Sequence, residues 1–309
     1  MWTKVRGLGL MLIGRRFSSH KTQSRKTLVD IHKLYGNKTP ILMVTSYDYI
    51  TGKYAASAGV DINLIGDSLA MTCLGYEDTN QLPFEEFLYH VKAVERGDKQ
   101  SFIVADLPFG TYEASPEKAL ETSVQLIKEG RIQAVKLEGG HPSMISNISK
   151  IIDSGIPVMG HVGLTPQRHN VLGGFKLQGT DTNRALQIYE ECVLLQKAGC
   201  FAIVLECIPN RLAEYITSKL SIPTIGIGAG PHCSGQVLVM ADLLGMLDDE
   251  SHPPAKFVKK YASFSSEAVK AIQQYRSDLK GVFPQEDIHG YKMKRDALLE
   301  FKRQVDDRS

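Results

Sequence analysis

The sequence predicts a (β/α)8 barrel, and three observations carry that reading. Seven short apolar, β-branched runs recur along the 309 residues, each is followed by a polar or glycine-rich turn and an amphipathic stretch, and nearly every run ends on a side chain able to do chemistry. Strands buried on both faces read as continuous Val/Ile/Leu runs, and a closed barrel of them gathers its reacting groups at the strands' C-terminal ends. No Gly-x-Gly-x-x-Gly follows the first run, which disfavours an open dinucleotide-binding sheet.

In order, the runs are ILMVTSYD, INLIGDS, FIVADLP, AVKLEGG, IPVMGHVG, AIVLECIP and IPTIGIGAG. Their ends fall at Asp48, Asp67 with Ser68, Asp106, Lys136 with Glu138, His161, Glu206 and Gly228. Between them lie helical stripes, such as Phe84, Phe87, Leu88, Val91 and Val94, or Met144, Ile145, Ile148, Ile151 and Ile152. Ser115-Pro116-Glu117 opens another helix, because the serine oxygen can cap it and the proline's missing N–H is not needed in a first turn. Gly97, Gly130, Gly155 and Gly199 stand where helices close. Further helices are expected over about 183–198 and about 211–220, and an eighth strand over Val237 to Met240. Two connections are long, Asp67 to about Phe84 and His161 to about Asn183, and long loops on a catalytic face often serve as lids or binding loops. Past the barrel, a helix over about 267–280 and a charged tail are expected to cover the barrel or contact another subunit.

Length and 43% hydrophobic content allow one large core. The formal charge of +2 hides an asymmetry: seven of the 36 basic residues lie within the first 29, which hold no acid, leaving 29 basic against 34 acidic residues in the body. The body is therefore mildly acidic, which argues against nucleic acid as a partner. That acid-free, Arg- and Ser-bearing start, with only a brief apolar stretch from Leu8 to Ile13, predicts a mitochondrial presequence over residues 1–26 and a single catalytic domain over 27–309. No segment reaches the roughly 18 apolar residues of a membrane helix. Five cysteines without a CxxC pair argue against a disulfide framework or zinc site, and Cys207 beside Glu206 reads as an inert thiol.

Asp67, Asp106 and Glu138 end three consecutive strands, so their carboxylates can converge. Oxygen donors alone select a hard cation, and Mg²⁺ leaves room for water and substrate. Lys136 and Glu138, two apart, point to the same side of one strand, and the lysine can bind a substrate carboxylate as a point charge. His161 joins them, while Glu206, away in sequence from the acidic trio, has the position of a general base. Asp48 reads as structural. The GIGAG run, Gly226 to Gly230, follows a strand after which barrels often bind phosphate, but glycines also serve close backbone approach and no basic residue stands beside it. Together the parts suit enolisation of a 2-oxo acid, in which a cation stabilises the enolate while a base takes the C3 proton.

The segments TSYDYITGKYAASAGVDINLIGDSLAMT, FIVADLPFGTY, AVKLEGG, GHVGLTPQ with GGFKLQG, LECIP, IPTIGIGAG and SGQVLVMADLLGM resemble the ketopantoate hydroxymethyltransferase family, from about Thr27 to Tyr291. The resemblance implies a barrel of the phosphoenolpyruvate/pyruvate type and transfer of a hydroxymethyl group from 5,10-methylenetetrahydrofolate to 3-methyl-2-oxobutanoate, giving 2-dehydropantoate. It implies Asp67, Asp106 and Glu138 as Mg²⁺ ligands; Asp67, Ser68, Asp106, Lys136 and His161 as substrate contacts; Glu206 as proton acceptor; and a homo-oligomer, with decamers known in the family. Asn80 and Gln81 in the loop after the second strand, and Ser234 and Ala241 near the eighth, depart from the family's usual residues. An alternative is another Mg²⁺-dependent oxo-acid barrel of the isocitrate-lyase or phosphoenolpyruvate-mutase kind, which typically carries a reactive loop cysteine; here the long loops offer only Cys73. A scaffold role predicts loss of site residues, and all are present.

Overall fold

The computed structural model describes residues 24–248, 250 and 253–308. Within them, β1 (Ile41–Thr45), β2 (Ile62–Ile65), β3 (Phe102–Asp106), β4 (Ala134–Lys136), β5 (Val158–Gly163), β6 (Ala202–Glu206), β7 (Thr224–Ile227) and β8 (Gly235–Leu238) pair in parallel in chain order. β8 returns to β1, pairing Gly235 with Ile41 and Val237 with Met43, so the sheet closes. The expected barrel is the observed one.

Alternation along each strand sorts the core into two parts. Ile41, Met43, Ile62, Leu64, Phe102, Val104, Met159, Ala202, Val204, Ile225 and Val237 fill the barrel. Their neighbours Val44, Ile65, Ile103, Ala105, Val135, Val158, Ile203 and Leu205 pack outward with the helices. The inward parity of Val104, Ala134, Met159 and Val204, carried two residues on, lands on Asp106, Lys136, His161 and Glu206, and two beyond Lys136 on Glu138. A strand-end acid thus inherits its aim from the apolar residues below it.

The helix Leu28–Gly36 closes the barrel's opposite end. Its start is set by the Asp30 carboxylate, which accepts from the Thr27 amide and hydroxyl at 2.9 and 2.7 Å, and it drives Ile31 into the barrel interior. Ahead of it, Arg25 donates to the Asp98 carbonyl and reaches Glu95, while Lys26 meets Asp61 at 2.6 Å. Two of the residues expected in a leader over 1–26 are therefore anchored on the barrel wall; residues 1–23 of that expectation lie outside the described residues.

Helix punctuation follows the sequence. Ser115 accepts from the Lys118 amide, with Pro116 opening Pro116–Gly130, and Asp48 accepts from the Thr51 amide at 2.7 Å to cap Tyr49–Ser57, the structural role expected of it. The helices Thr182–Ala198 and Asn210–Lys219 match their expected spans within a residue.

Two expectations are corrected. The eighth strand begins at Gly235 and ends at Leu238, because Met240 already opens a short helix whose first amide is capped by the Thr45 hydroxyl. The tail covers the barrel only at its start: Phe257 packs against the barrel core, whereas the helices Phe264–Asp278, Glu286–His289 and Arg295–Asp306 bury no residue among the described residues. No helix among the described residues is long and apolar enough to cross a membrane.

Candidate active site

At the C-terminal mouth of the barrel lies a cavity of about 130 Å³. Its floor is apolar, from Leu64, Val204, Ile227 and Val237, and its walls carry Asp67, Ser68, Asp106, Lys136, Glu138, His161 and Glu206. Every site residue expected from the sequence faces this one space. Phe175 and Pro166, from the long segment after β5, complete the wall.

Among the described residues, Lys136 is the one ammonium lining this cavity. Its Nζ lies 2.7 Å from Asp106 Oδ1 and 3.4 Å from His161 Nδ1. Burial alone would lower its pKa, but Asp106, Asp67 and Glu138 outweigh burial and raise it, so the side chain stays charged. The Asp67 carboxyl is pushed up to about 7 by burial and by the adjacent Asp106, against the pull of Lys136 and a hydrogen bond from Gln167. Burial and Asp67 likewise push Glu138 well above the usual carboxylate range. Three buried acids facing one ammonium are short of positive charge.

His161 bridges the halves of the site. Its Nδ1 is 3.4 Å from the Lys136 ammonium and 3.6 Å from Glu138, and its Nε2 is 3.1 Å from Glu206 Oε2. Burial and Lys136 lower its pKa, favouring the neutral ring. An ammonium can only donate, so Nδ1 is the accepting nitrogen and the ring proton sits on Nε2, toward Glu206. Glu206 keeps part of its side chain open to solvent, unlike the acids deeper in.

The acidic trio shares the cavity without forming a closed cage. Among the described residues, no three His, Cys, Asp or Glu side chains are arranged to hold a metal ion as they stand. Asp67 and Asp106 are adjacent, the Asp67 amide donating to Asp106 Oδ2 at 3.0 Å, whereas Glu138 Oε2 accepts from the Gln167 amide at 3.0 Å. The donor chemistry nevertheless fits Mg²⁺, which is commonly held by one or two carboxylates and otherwise by water. The deficit of positive charge and the buried Ser68 hydroxyl, which has no hydrogen-bond partner among the described residues, point the same way.

The raised acids make stability depend on pH. Asp67 and Glu138 would release their protons near pH 4 in an unfolded chain, but the folded chain holds Asp67's until about pH 7. The Asp67 contribution to stability is thus fully present below about pH 4 and is lost as pH rises through about 7, and that of Glu138, pushed in the same direction by burial and by Asp67, is likewise lost as pH rises. A divalent cation among them offsets that loss, so Mg²⁺ is expected to raise the melting temperature more at pH 8 than at pH 5, and less in Asp67→Asn. Scanning calorimetry of the four combinations decides it; an equal Mg²⁺ effect at both pH values refutes it.

Gln167 escaped the sequence reading. The only signal was the length of the loop that carries it. Its amide ties Asp67 to the Leu107 carbonyl and accepts from the buried Tyr112 hydroxyl. Burial and Glu206 push the Cys207 thiol up to about 12, the direction that disfavours a reactive thiolate. In the glycine run after β7, Gly228 has φ +63°, and an added Cβ would come within 2.8 Å of the Phe257 ring, so close approach of the chain's own tail explains it.

Comparison with known proteins assigns the chain to a family. The family model described as ketopantoate hydroxymethyltransferase matches residues 25–286. A 3-methyl-2-oxobutanoate hydroxymethyltransferase of Emericella nidulans is 46% identical over 92% of this chain and 81% of its own length. One named mitochondrial, from Arabidopsis thaliana, is 46% identical over 89% and 80%, and one from Enterococcus faecalis is 48% identical over 84% and 92%. Among solved structures, a phosphonopyruvate hydrolase complex with oxalate and Mg²⁺ superposes with TM-score 0.54 at 11% identity, covering 92% of this chain and 97% of that one. A 2,3-dimethylmalate lyase superposes with TM-score 0.51 at 12% identity, covering 91% and 98%. These two share the barrel alone, whereas the family match and the high identities span nearly the whole described barrel: the chain belongs to the ketopantoate hydroxymethyltransferase family of enzymes.

Proposed function

We propose that this enzyme transfers a hydroxymethyl group from 5,10-methylenetetrahydrofolate to 3-methyl-2-oxobutanoate, giving 2-dehydropantoate, with Glu206 as the base. The position of Glu206 carries the reading: it is the strand-end acid tied neither to Lys136 nor to Gln167, and it looks across the cavity at the acidic trio. The apolar floor suits the substrate's isopropyl group, and the small cavity suits a small acid. Lys136 and the unpartnered Ser68 hydroxyl supply donors for its carboxylate, Asp67 and Asp106 flank it, and His161 offers Nε2–H beside the base.

Asp67, Asp106 and Glu138 would hold Mg²⁺, which when bound polarises the 2-oxo group and makes the C3 proton easier to remove. Glu206 takes that proton, and His161 stabilises the carboxylate before transfer and holds its orientation. The C3 electron pair then forms a bond to the folate's one-carbon unit as one carbon–nitrogen bond breaks, water displaces the second nitrogen and supplies the hydroxyl, and the proton held by Glu206 and one from water go to the two released nitrogens, giving tetrahydrofolate. The same residues could serve a lyase, but the identities to named hydroxymethyltransferases favour the transferase.

Mixing protein, Mg²⁺ and 3-methyl-2-oxobutanoate in D₂O is expected to exchange the C3 proton, read by proton NMR. Addition of 5,10-methylenetetrahydrofolate is then expected to yield 2-dehydropantoate. Exchange without product on addition of the folate points to a lyase, and no exchange points to a scaffold.

Two features of the chain support its setting. Val269, Ile272 and Tyr275 on Phe264–Asp278, and Leu298, Leu299 and Phe301 on Arg295–Asp306, stay exposed. Such apolar faces support self-association into a homo-oligomer, up to a decamer. The acid-free first 29 residues and the name of the Arabidopsis thaliana relative support mitochondrial import.

A further inference from the structure

Gln167 sits at a junction that the chemistry above does not use. It lies just beyond β5, buried, 100 residues from Asp67 and 29 from Glu138 in sequence, yet it binds both. Its side-chain nitrogen has two hydrogens, and both are engaged: one with Asp67 Oδ2 at 2.7 Å and one with the Leu107 carbonyl at 3.0 Å. Its side-chain oxygen accepts from the Tyr112 hydroxyl at 2.7 Å, and its backbone N–H donates to Glu138 Oε2 at 3.0 Å.

This arrangement admits one amide orientation. Turned over, the amide oxygen would face a carboxylate and a carbonyl oxygen, and its NH₂ would face the Tyr112 hydroxyl. Tyr112 is itself buried, and its hydroxyl donates to the Gln167 side-chain oxygen, which fixes that oxygen on the tyrosine's side. The tie uses one oxygen of each acid, Oδ2 of Asp67 and Oε2 of Glu138, and leaves Oδ1 and Oε1 for other partners. Two buried acids from different strand ends, which repel each other, are held in fixed orientation by one residue.

We propose that Gln167 is a positioning residue that orients Asp67 and Glu138 toward a shared divalent cation, with Tyr112 acting through it. The inference rests on the cation reading given above. Partners that orient metal-binding carboxylates typically change metal affinity by roughly 10–100-fold when removed.

The test titrates Mn²⁺ into the full-length protein, followed by electron paramagnetic resonance of the free ion, with melting temperatures measured alongside. Gln167→Ala is expected to weaken Mn²⁺ binding by roughly 10–100-fold, and Tyr112→Phe to weaken it less. Adding Tyr112→Phe to Gln167→Ala is expected to change nothing further, a non-additivity that two separate structural losses do not produce. Wild-type affinity in Gln167→Ala, or full additivity of the two, overturns the inference alone. Absence of Mn²⁺ binding by the wild type overturns both it and the cation reading. Should Gln167→Ala fail to fold, Tyr112→Phe decides, and unchanged affinity in that variant overturns the inference.

Discussion

Glu206→Gln is expected to lower turnover by roughly 10²–10⁴-fold while leaving the fold intact, the range that a positioned general base contributes. The substitution is nearly isosteric, and Glu206 is partly exposed at the mouth, so its loss opens no cavity in the core. An amide at this place fills the same space 3.1 Å from His161 Nε2, so the ring keeps its neighbour. What disappears is the capacity to take a proton. Exchange of the C3 proton in D₂O should fall in step with turnover, whereas binding of the oxo acid, followed by calorimetry, should change little, because Lys136, Asp67 and Ser68 remain. A variant that still exchanges the proton at the wild-type rate removes Glu206 from the base role and turns attention to His161. A variant that loses substrate binding and turnover together assigns Glu206 to holding the substrate instead.

Lys136→Met is the second large effect, and it acts on stability as well as activity. The side chain is almost fully buried with its ammonium 2.7 Å from Asp106, and among the described residues it is the one cation lining the cavity with Asp67, Asp106 and Glu138. Removing one partner of a buried ion pair typically costs about 3–5 kcal/mol, because the charges left behind have neither water nor a counter-ion. Methionine fills a similar volume, so a cavity contributes little and the loss reports on charge. The acids will then keep their protons to higher pH, and the stability deficit should be largest in neutral and alkaline buffer and shrink toward pH 4. Urea denaturation across that range measures it directly. Equal stability of variant and wild type at pH 8 contradicts the picture of an acid-rich site neutralised by one lysine. Asp106→Asn in the Lys136→Met background should recover part of the loss, since it removes one of the uncompensated charges.

The barrel was legible because its physics is local and periodic. A strand buried on both faces reads as a mostly apolar run, so ILMV, INLI, FIVA, AIVL and TIGI announce themselves, and the parity of each fixes which side chain reaches the mouth. That is why Asp106, Lys136, Glu138, His161 and Glu206 could all be assigned to one space from their positions in the chain. β8 was placed two residues late because GQVL interrupts its apolar run with a glutamine, and its limits are set by register, Gly235 pairing with both Ile41 and Ile225. The tail's amphipathic stripes were visible, but periodicity names a face that wants cover and not the surface that covers it.

What the sequence determined by itself was therefore the barrel, its open end and the set of charged groups that meet there, since these follow from short-range pattern and strand parity. What the tertiary structure alone decided was how those groups are tied: Gln167 to Asp67 and Glu138, Tyr112 to Gln167, His161 between Lys136 and Glu206. A hydrogen bond between residues 100 positions apart depends on where loops of unequal length deliver two atoms to within a fraction of an ångström, and no local periodicity encodes that distance.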